Sequence, residues 1–328
     1  MQTETLVQEI PVKRIPLRKC KKQVILNPAS AGGKTRRNMG IILNALRREF
    51  GEELYCNVTR TAGEAEILAR KASRAGCETV IAVGGDGTLQ EVVNGFFENG
   101  RAVNPECRLG IIGSGTGRGF PLSLQLPGSL EDQIKIIREN RVKKVDVGKI
   151  TYKNIRGFTL DRYFINECQT GIGGEVVKRV QNNHKRLGGL LAFGSVTVRT
   201  ALQYREPIMK VTLDRTTEIE DRILGIVVAN GAYTGGGMNL APGADVSDGW
   251  FNVLIMHAQS IPQRLMNFPK IYSGKHIQSH KFSYYRAQHI AIDALEPVNL
   301  EADGELLGRP PCTIEMCTHA INVIYRSL

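Results

Sequence analysis

The sequence predicts two consecutive architectures: an α/β domain built on a parallel sheet with flanking helices, then a mainly antiparallel, β-sandwich-like domain. Three observations predict them. Up to about residue 148 the chain repeats apolar strand run, polar turn and amphipathic helix, the rhythm of parallel strands joined by covering helices. Beyond Val145-Asp146-Val147-Gly148 that rhythm gives way to short alternating runs, which suit antiparallel strands with one covered face. The 35 glycines fall in clusters between apolar runs and form no repeat, so they belong to loops. At 328 residues the chain is long for one core. The expected division is a tail or crossing arm over 1–19, an α/β domain over 20–148 and a β-rich domain over 149–328, its last strand free to return to the first domain.

In chain order, a strand at 23–26 leads into Asn27-Pro28-Ala29-Ser30-Ala31-Gly32-Gly33-Lys34-Thr35 and a helix to about 50. A nucleotide P-loop is rejected, because its first glycine would fall on Pro28. A strand at 54–59 and a helix to about 75 follow. The most informative stretch is 79–95, TVIAVGGDGTLQEVVNG. A buried-strand run over 79–83 enters Gly84-Gly85-Asp86-Gly87 and leaves as a helix opening Thr88, Leu89, Gln90, Glu91. Glycines let backbone N–H groups approach an anion, the helix start offers unsatisfied donors, and one carboxylate sits where a metal or a hydroxyl proton is handled. The plainer alternative is a strand-to-helix turn with Asp86 as a cap and Thr88/Glu91 as a capping box; three glycines around one aspartate exceed what such a turn needs.

A strand at 109–112 precedes Gly113-Ser114-Gly115-Thr116-Gly117-Arg118-Gly119, which fails the dinucleotide fingerprint because its third glycine would fall on Arg118 or Phe120. One more amphipathic helix spans about 128–140. The second half has strand runs at 162–168, 208–214, 223–230, 250–256, 289–293 and 320–325, with helix confined to about 173–205 and 260–274. Two stretches there carry chemistry: a glycine-rich loop over 229–250 ending Asp248-Gly249-Trp250, and Glu301-Ala302-Asp303-Gly304-Glu305. Carboxylates around a glycine can face a substrate hydroxyl and a metal, and the same residues also make an ordinary hairpin turn.

Taken in order, these motifs resemble the diacylglycerol kinase catalytic-domain family, which includes bacterial lipid kinases and sphingosine kinase relatives; NAD kinases share the GGDGT turn more distantly. The resemblance covers about 22–326. It implies an ATP-dependent kinase acting on a hydroxyl of diacylglycerol or a related lipid brought to the cleft between the domains. A sphingoid-base kinase, an NAD kinase-like enzyme and a non-catalytic nucleotide- or lipid-binding homologue stay open. It implies a nucleotide site at Asn27, Lys34, Thr59, Gly84, Gly85, Asp86, Gly87, Thr88, Leu89, Gln90, Glu91, Gly115 and Thr116. Asp86 is implied for catalytic Mg²⁺, and Asp303 or Glu305 for the hydroxyl proton. A structural Mg²⁺ is implied at the Asp248 carboxylate with the carbonyls of Asp245 and Trp250. One loop departs from the family's pattern, with Arg118 for Asn, Gly119 for Asp and Pro121 for Ala. Arg118 is then expected on a phosphate or an acidic lipid head.

The net charge of +11 and a pI near 9.4 suit acidic partners. Nucleic acid is disfavoured, because the basic residues are dispersed with no stacking-aromatic or zinc-ligand motif beside them. Seven cysteines without a CxxC pair fit a reducing cytoplasm. No apolar run approaches the ~20 residues of a membrane helix, so any membrane contact is peripheral, at the inner face. A homodimer is an open arrangement.

Overall fold

The computed structural model describes residues 21–51, 54–114, 118–154, 156–183 and 190–326. The expected tail at 1–19 lies outside them. Strands and helices alternate at first: β1 (Lys22–Leu26), α1 (Lys34–Phe50), β2 (Leu54–Val58), α2 (Glu64–Arg74), β3 (Thr79–Gly84), α3 (Asp86–Gly95), a small hairpin of β4 (Phe97–Glu98) and β5 (Arg101–Ala102), and β6 (Arg108–Gly113). All six residues of β3 are buried, as a parallel strand covered on both faces requires. The parallel order is β2-β1-β3-β6, so the strand order reverses between β1 and β3.

Then come α4 (Gly119–Ser123), α5 (Leu130–Glu139) and the long β7 (Val142–Lys153). Helix α5 starts where Ser129 Oγ accepts the Asp132 N–H at 3.1 Å, a side-chain cap. Strands β8 (Thr159–Phe164) and β9 (Glu167–Gly171) precede α6 (Ile172–Asn183) and α7 (Leu190–Gln203). The remainder is β10 (Ile208–Leu213), β11 (Thr217–Ala229), β12 (Tyr233–Thr234), β13 (Met238–Asn239), β14 (Phe251–His257), α8 (Ile261–Tyr272), β15 (Phe282–Ala287), β16 (His289–Ala294), β17 (Leu300–Ala302) and β18 (Glu305–Ile324).

The two halves share one sheet. Strand β7 passes the expected boundary at 148 unbroken and pairs antiparallel with β18, whose end lies parallel to β6 with Asn322 opposite Arg108. In the second half, β11 begins against β10 and, after a bulge between Ile223 and Gly225, continues between β9 and β14. Side chains such as Ile150, Phe164, Met209, Ile226, Phe251 and Ile314 fill the space between the two layers.

Several runs differ from expectation; the run expected at 320–325 is the end of β18, which begins at Glu305. The strand expected at 162–168 breaks at Ile165-Asn166, because the backbone N–H groups there turn to a carboxylate instead of a neighbouring strand. The strand expected at 223–230 starts earlier, at Thr217; its mostly exposed polar first half pairs with β10 and packs only Ile219 against the second core.

Candidate active site

Three loops meet beyond the carboxyl ends of β1, β3 and β6, the position where an open parallel sheet leaves a crevice. Asn27, just past β1, donates its amide to Thr88 Oγ1 at 2.9 Å, tying the first loop to the GGDGT turn. Thr35 Oγ1 hydrogen-bonds with Ser30 Oγ at 2.6 Å and Ser114 Oγ at 2.7 Å, tying the same loop to the one after β6. Ala31, Gly32 and Gly33 all have positive φ, so the first loop coils tightly before α1. A Cβ on Gly84 would lie 2.4 Å from Thr88 Oγ1, so only glycine admits this closeness of turn and helix. Lys34 is exposed at the start of α1, and the buried Thr59 donates its N–H to the Leu26 carbonyl at 2.9 Å.

Asp86 opens α3. The residue is half-buried, and the backbone N–H groups of Gly119 and Phe120 face its carboxyl. Burial pushes its pKa up against those N–H groups and the charge of Arg118. Beside it lies the hairpin between β17 and β18, whose Asp303 and Gly304 both have positive φ, as a two-residue Asp-Gly turn demands. The Asp303 carboxylate accepts the N–H groups of Ile165, Asn166 and Glu167 at 2.9, 3.0 and 3.0 Å. Burial still raises it to about 7, with the Asp86 charge adding to the shift. Glu305, exposed, sets its carboxylate beside Gly87.

Two further acids complete the cluster. Glu301 is fully buried, accepts the Gly304 N–H at 2.9 Å through one oxygen and leaves Oε1 without a partner; burial and the charges of Asp303 and Glu305 raise it to about 8. Glu167 is buried, accepts from the Thr234 hydroxyl and is pushed well up by burial and by Glu301, Asp303 and Asp86. The motifs give neither of them a role; the available signal is an acid inside an apolar strand run, at FINEC for Glu167 and NLEA for Glu301.

These acids stand at one end of a cavity of about 280 Å³. Most of its remaining wall is apolar, with Ile172 and Val176 of α6, Leu224, Met256, Phe268 and Ile271 among the lining, while Gln169, Thr197, Gln259, Arg264 and Asn267 add polar groups. Asp86 belongs both to this lining and to the glycine turn.

Several of the expected contact residues also make bonds within the protein. Glu91 accepts the N–H groups of Gly63 and Ala65 at 2.9 and 3.1 Å, so it caps α2 and not a ligand. Gln90 donates to the Ala302 carbonyl at 2.8 Å, bridging the two halves, and Leu89 is buried in the first core. Arg118 donates through Nη2 to the carbonyls of Leu126 and Pro127 at 2.9 and 2.6 Å, while its buried Nε has no partner and the side chain lines a small pocket with Gly84, Gly85 and Asp86. A Cβ on Gly119 would lie 2.8 Å from the Tyr233 carbonyl oxygen, so the family's Asp has no room here. Gly115 and Thr116 lie outside the described residues.

The donor sets fit a metal at the crevice and resist one at the DG loop. Glu305 beside Gly87, with the hydroxyls of Ser30, Ser114 and Thr88 around the crevice, offers oxygen alone, which fits a hard cation held jointly with nucleotide phosphates. Among the described residues no cluster of three or more His, Cys, Asp or Glu forms a self-sufficient site. At the DG loop, Asp248 Oδ2 is held by Arg286 at 2.6 Å and Oδ1 accepts the Trp250 N–H at 3.0 Å, while the Asp245 carboxylate faces Lys143 at 3.0 Å. The Asp245 carbonyl accepts the Asp248 N–H at 3.4 Å. This set takes a structural Mg²⁺ only in exchange for Arg286.

The geometry defines a two-part site, a crevice of glycine loops joined to a largely apolar cavity, and comparison with known proteins names its family. Residues 21–150 match the diacylglycerol kinase catalytic domain, and residues 166–325 match the YegS C-terminal NAD kinase beta sandwich-like domain. A "Probable lipid kinase YegS-like" protein of Chromohalobacter salexigens is 30% identical, covering 79% of each chain. A "Diacylglycerol kinase" of Staphylococcus haemolyticus is 28% identical over 92% of this chain and 89% of its own. A crystal structure of a "putative diacylglycerol kinase" from Bacillus anthracis superposes with a TM-score of 0.73 at 25% identity, covering 93% of this chain and 97% of that one. Yeast NADH kinase shares the fold, with a TM-score of 0.52 at 11% identity over 94% of this chain and 84% of its own. The chain belongs to the diacylglycerol kinase and YegS-like lipid kinase family.

Proposed function

We propose that this protein is an ATP-dependent lipid kinase, with the nucleotide phosphates in the crevice of the three loops and the lipid chain in the apolar cavity. The observation that carries this reading is the position of Asp86, which belongs to the glycine turn and to the cavity lining at once. A lipid lying in the cavity presents its hydroxyl at the acidic end, and the turn at Gly84, Gly85 and Gly87 aligns the terminal phosphate. Phosphoryl transfer needs positioning and charge stabilisation more than covalent help. Asp86, raised in pKa, orients the hydroxyl and accepts its proton at a carboxylate oxygen. Asp303 is a positioning residue, since its three N–H bonds hold the β8–β9 turn that carries Glu167. Glu305 is the carboxylate that would hold a Mg²⁺ arriving with ATP, whose chemistry is to neutralise phosphate charge. Glu305 thus takes the metal role that the sequence expectation gave to Asp86, and Asp86 takes the proton role it gave to Asp303 or Glu305.

A sphingoid base is the second reading. The specific observation is the unpartnered Glu301 Oε1 beside Glu167, two buried acids that burial keeps protonated and that an ammonium group would hold as carboxylates. The lipid meets the enzyme at a membrane surface, and among the described residues no helix is long and apolar enough to cross one. The deciding experiment incubates the protein with labelled ATP, Mg²⁺ and separate pools of diacylglycerol, sphingoid base and NAD. Labelled phosphatidic acid is the expected product; labelled sphingoid-base phosphate selects the second reading. Labelled NADP, or no ADP above background in every pool, overturns the lipid-kinase reading.

A further inference from the structure

The apolar residues left outside the cores are not scattered evenly. Among the described residues, seven of the thirteen exposed large hydrophobics sit on α7, α8 and the turn after α8. On α8, Ile261, Leu265 and Tyr272 fall at i, i+4 and i+11, one stripe, with Met266 beside it at 69% exposure. Phe268, at i+7 from Ile261, borders this stripe and with Ile271 lines the cavity, so the apolar surface of α8 runs from the cavity wall to the outer face, and its outer part is uncovered. Val198 and Leu202 of α7, four residues apart, extend the uncovered face. Buried Arg264 fixes the two helices as a unit, donating to the Ala201 and Tyr204 carbonyls at 2.7 and 2.8 Å and pairing with Glu206.

The charge on this face has one sign. Residues 194–205 and 259–283 contain no Asp or Glu, and Arg199, Arg205, Lys270 and Lys275 are exposed within them. A second copy of the chain fits poorly, since a two-fold contact would set these cations against themselves with no acid to offset them. A surface that is fluid, apolar beneath and anionic above fits both features.

We propose that the outward face of α7 and α8, with the turn after α8, docks onto an anionic lipid bilayer. The apolar stripe enters the acyl boundary while the four cations meet the headgroups. The same two helices wall the cavity, so docking sets the cavity about one helix diameter, roughly 10 Å, from the membrane. The purpose of this docking rests on the lipid-kinase reading; its test does not, because it is read without ATP.

The test is co-sedimentation with vesicles of phosphatidylcholine mixed with phosphatidylglycerol, against vesicles of phosphatidylcholine alone. The wild type should pellet with the mixed vesicles and lose that association as salt rises. The pair Leu265→Asp with Met266→Asp, and separately Lys270→Glu with Lys275→Glu, should each weaken binding about tenfold or more, with melting temperature unchanged. Two results overturn the proposal: both pairs binding mixed vesicles as the wild type does, or light scattering showing that Leu265→Asp with Met266→Asp splits a dimer while vesicle binding persists.

Discussion

Glu305 Oε1 would lie 2.8 Å from a Cβ built on Gly87, so the carboxylate of the DG hairpin rests directly against the glycine turn of the nucleotide crevice. The two motifs are far apart in the chain, and their meeting is what joins the two halves of the site. Gly87→Ala should displace the flexible end of Glu305 without disturbing the fold. Turnover is expected to fall about tenfold or more, with melting temperature within about 2 °C, and Glu305→Gln should give a similar loss. Full activity in Gly87→Ala at saturating Mg²⁺ removes the contact from the mechanism.

Asp86 is assigned the proton of the lipid hydroxyl. Asp86→Asn keeps the shape and removes the base, and it loses the acceptor charge that the Gly119 and Phe120 N–H groups face. Turnover should fall about 10²–10⁴-fold while the circular dichroism spectrum is retained. More than about a tenth of wild-type turnover excludes that role.

The parallel half was legible because glycine turns and continuous apolar runs such as 79–83 report strand ends and burial directly. The meeting of GGDGT with the DG hairpin was legible only as motif order, since Gly87 and Glu305 touch through a twenty-residue strand, β18, whose path no local pattern states. Glu91 shows the opposite limit. A glutamate in a first helical turn reads equally as ligand contact or cap, and only the position of α2 decides for the cap. Arg118 shows a related limit: the glycine loop suggests a phosphate site, but no local pattern states that its Nη2 also meets the carbonyls of Leu126 and Pro127, after an intervening helix.

The buried acids predict a pH dependence. Glu301 and Asp303 titrate at about 8 and 7 in the fold, above their ordinary values of 4.5 and 3.8, so between those limits the folded state holds more protons than the unfolded one. Their contribution is fully present below the ordinary values and is lost as pH rises through 7 and 8. The melting temperature of the metal- and nucleotide-free protein should therefore decline from about pH 5 to about pH 9, and Glu301→Gln should flatten the decline. A melting temperature that rises across this window, or an unaltered slope in Glu301→Gln, refutes the assignment.

Arg118 is now expected to act on stability. It sits at φ 45°, a left-handed conformation that asparagine tolerates well, so Arg118→Asn removes the guanidinium with little backbone penalty. Losing its bonds to two carbonyls should cost about 1.5–3 kcal/mol in chemical denaturation. Affinity for ATP, measured by calorimetry at low salt, should stay within about threefold, since less than about 1 kcal/mol is then at stake. A large loss of ATP affinity with unchanged stability returns the arginine to the phosphate.

Asp248 and Arg286 set up a competition that separates a structural metal from an ion pair. One carboxylate oxygen is held by the guanidinium at 2.6 Å, and the guanidinium also lies 5.4 Å over the Trp250 ring, so the arginine occupies the cationic position of the loop with two partners. A Mg²⁺ at this carboxylate must displace it, and a ligand that binds only the folded state raises the melting temperature by mass action. Arg286→Ala frees the carboxylate and should enlarge any Mg²⁺-dependent rise in melting temperature. Asp248→Ala removes the shared acceptor and should abolish that rise in either background. Each arm is measured without nucleotide, so that metal carried by ATP phosphates does not enter. A Mg²⁺ response that is the same in wild type, Arg286→Ala and Asp248→Ala would show that guanidinium and metal do not share this carboxylate, leaving Asp248 as the anchor of an ion pair alone.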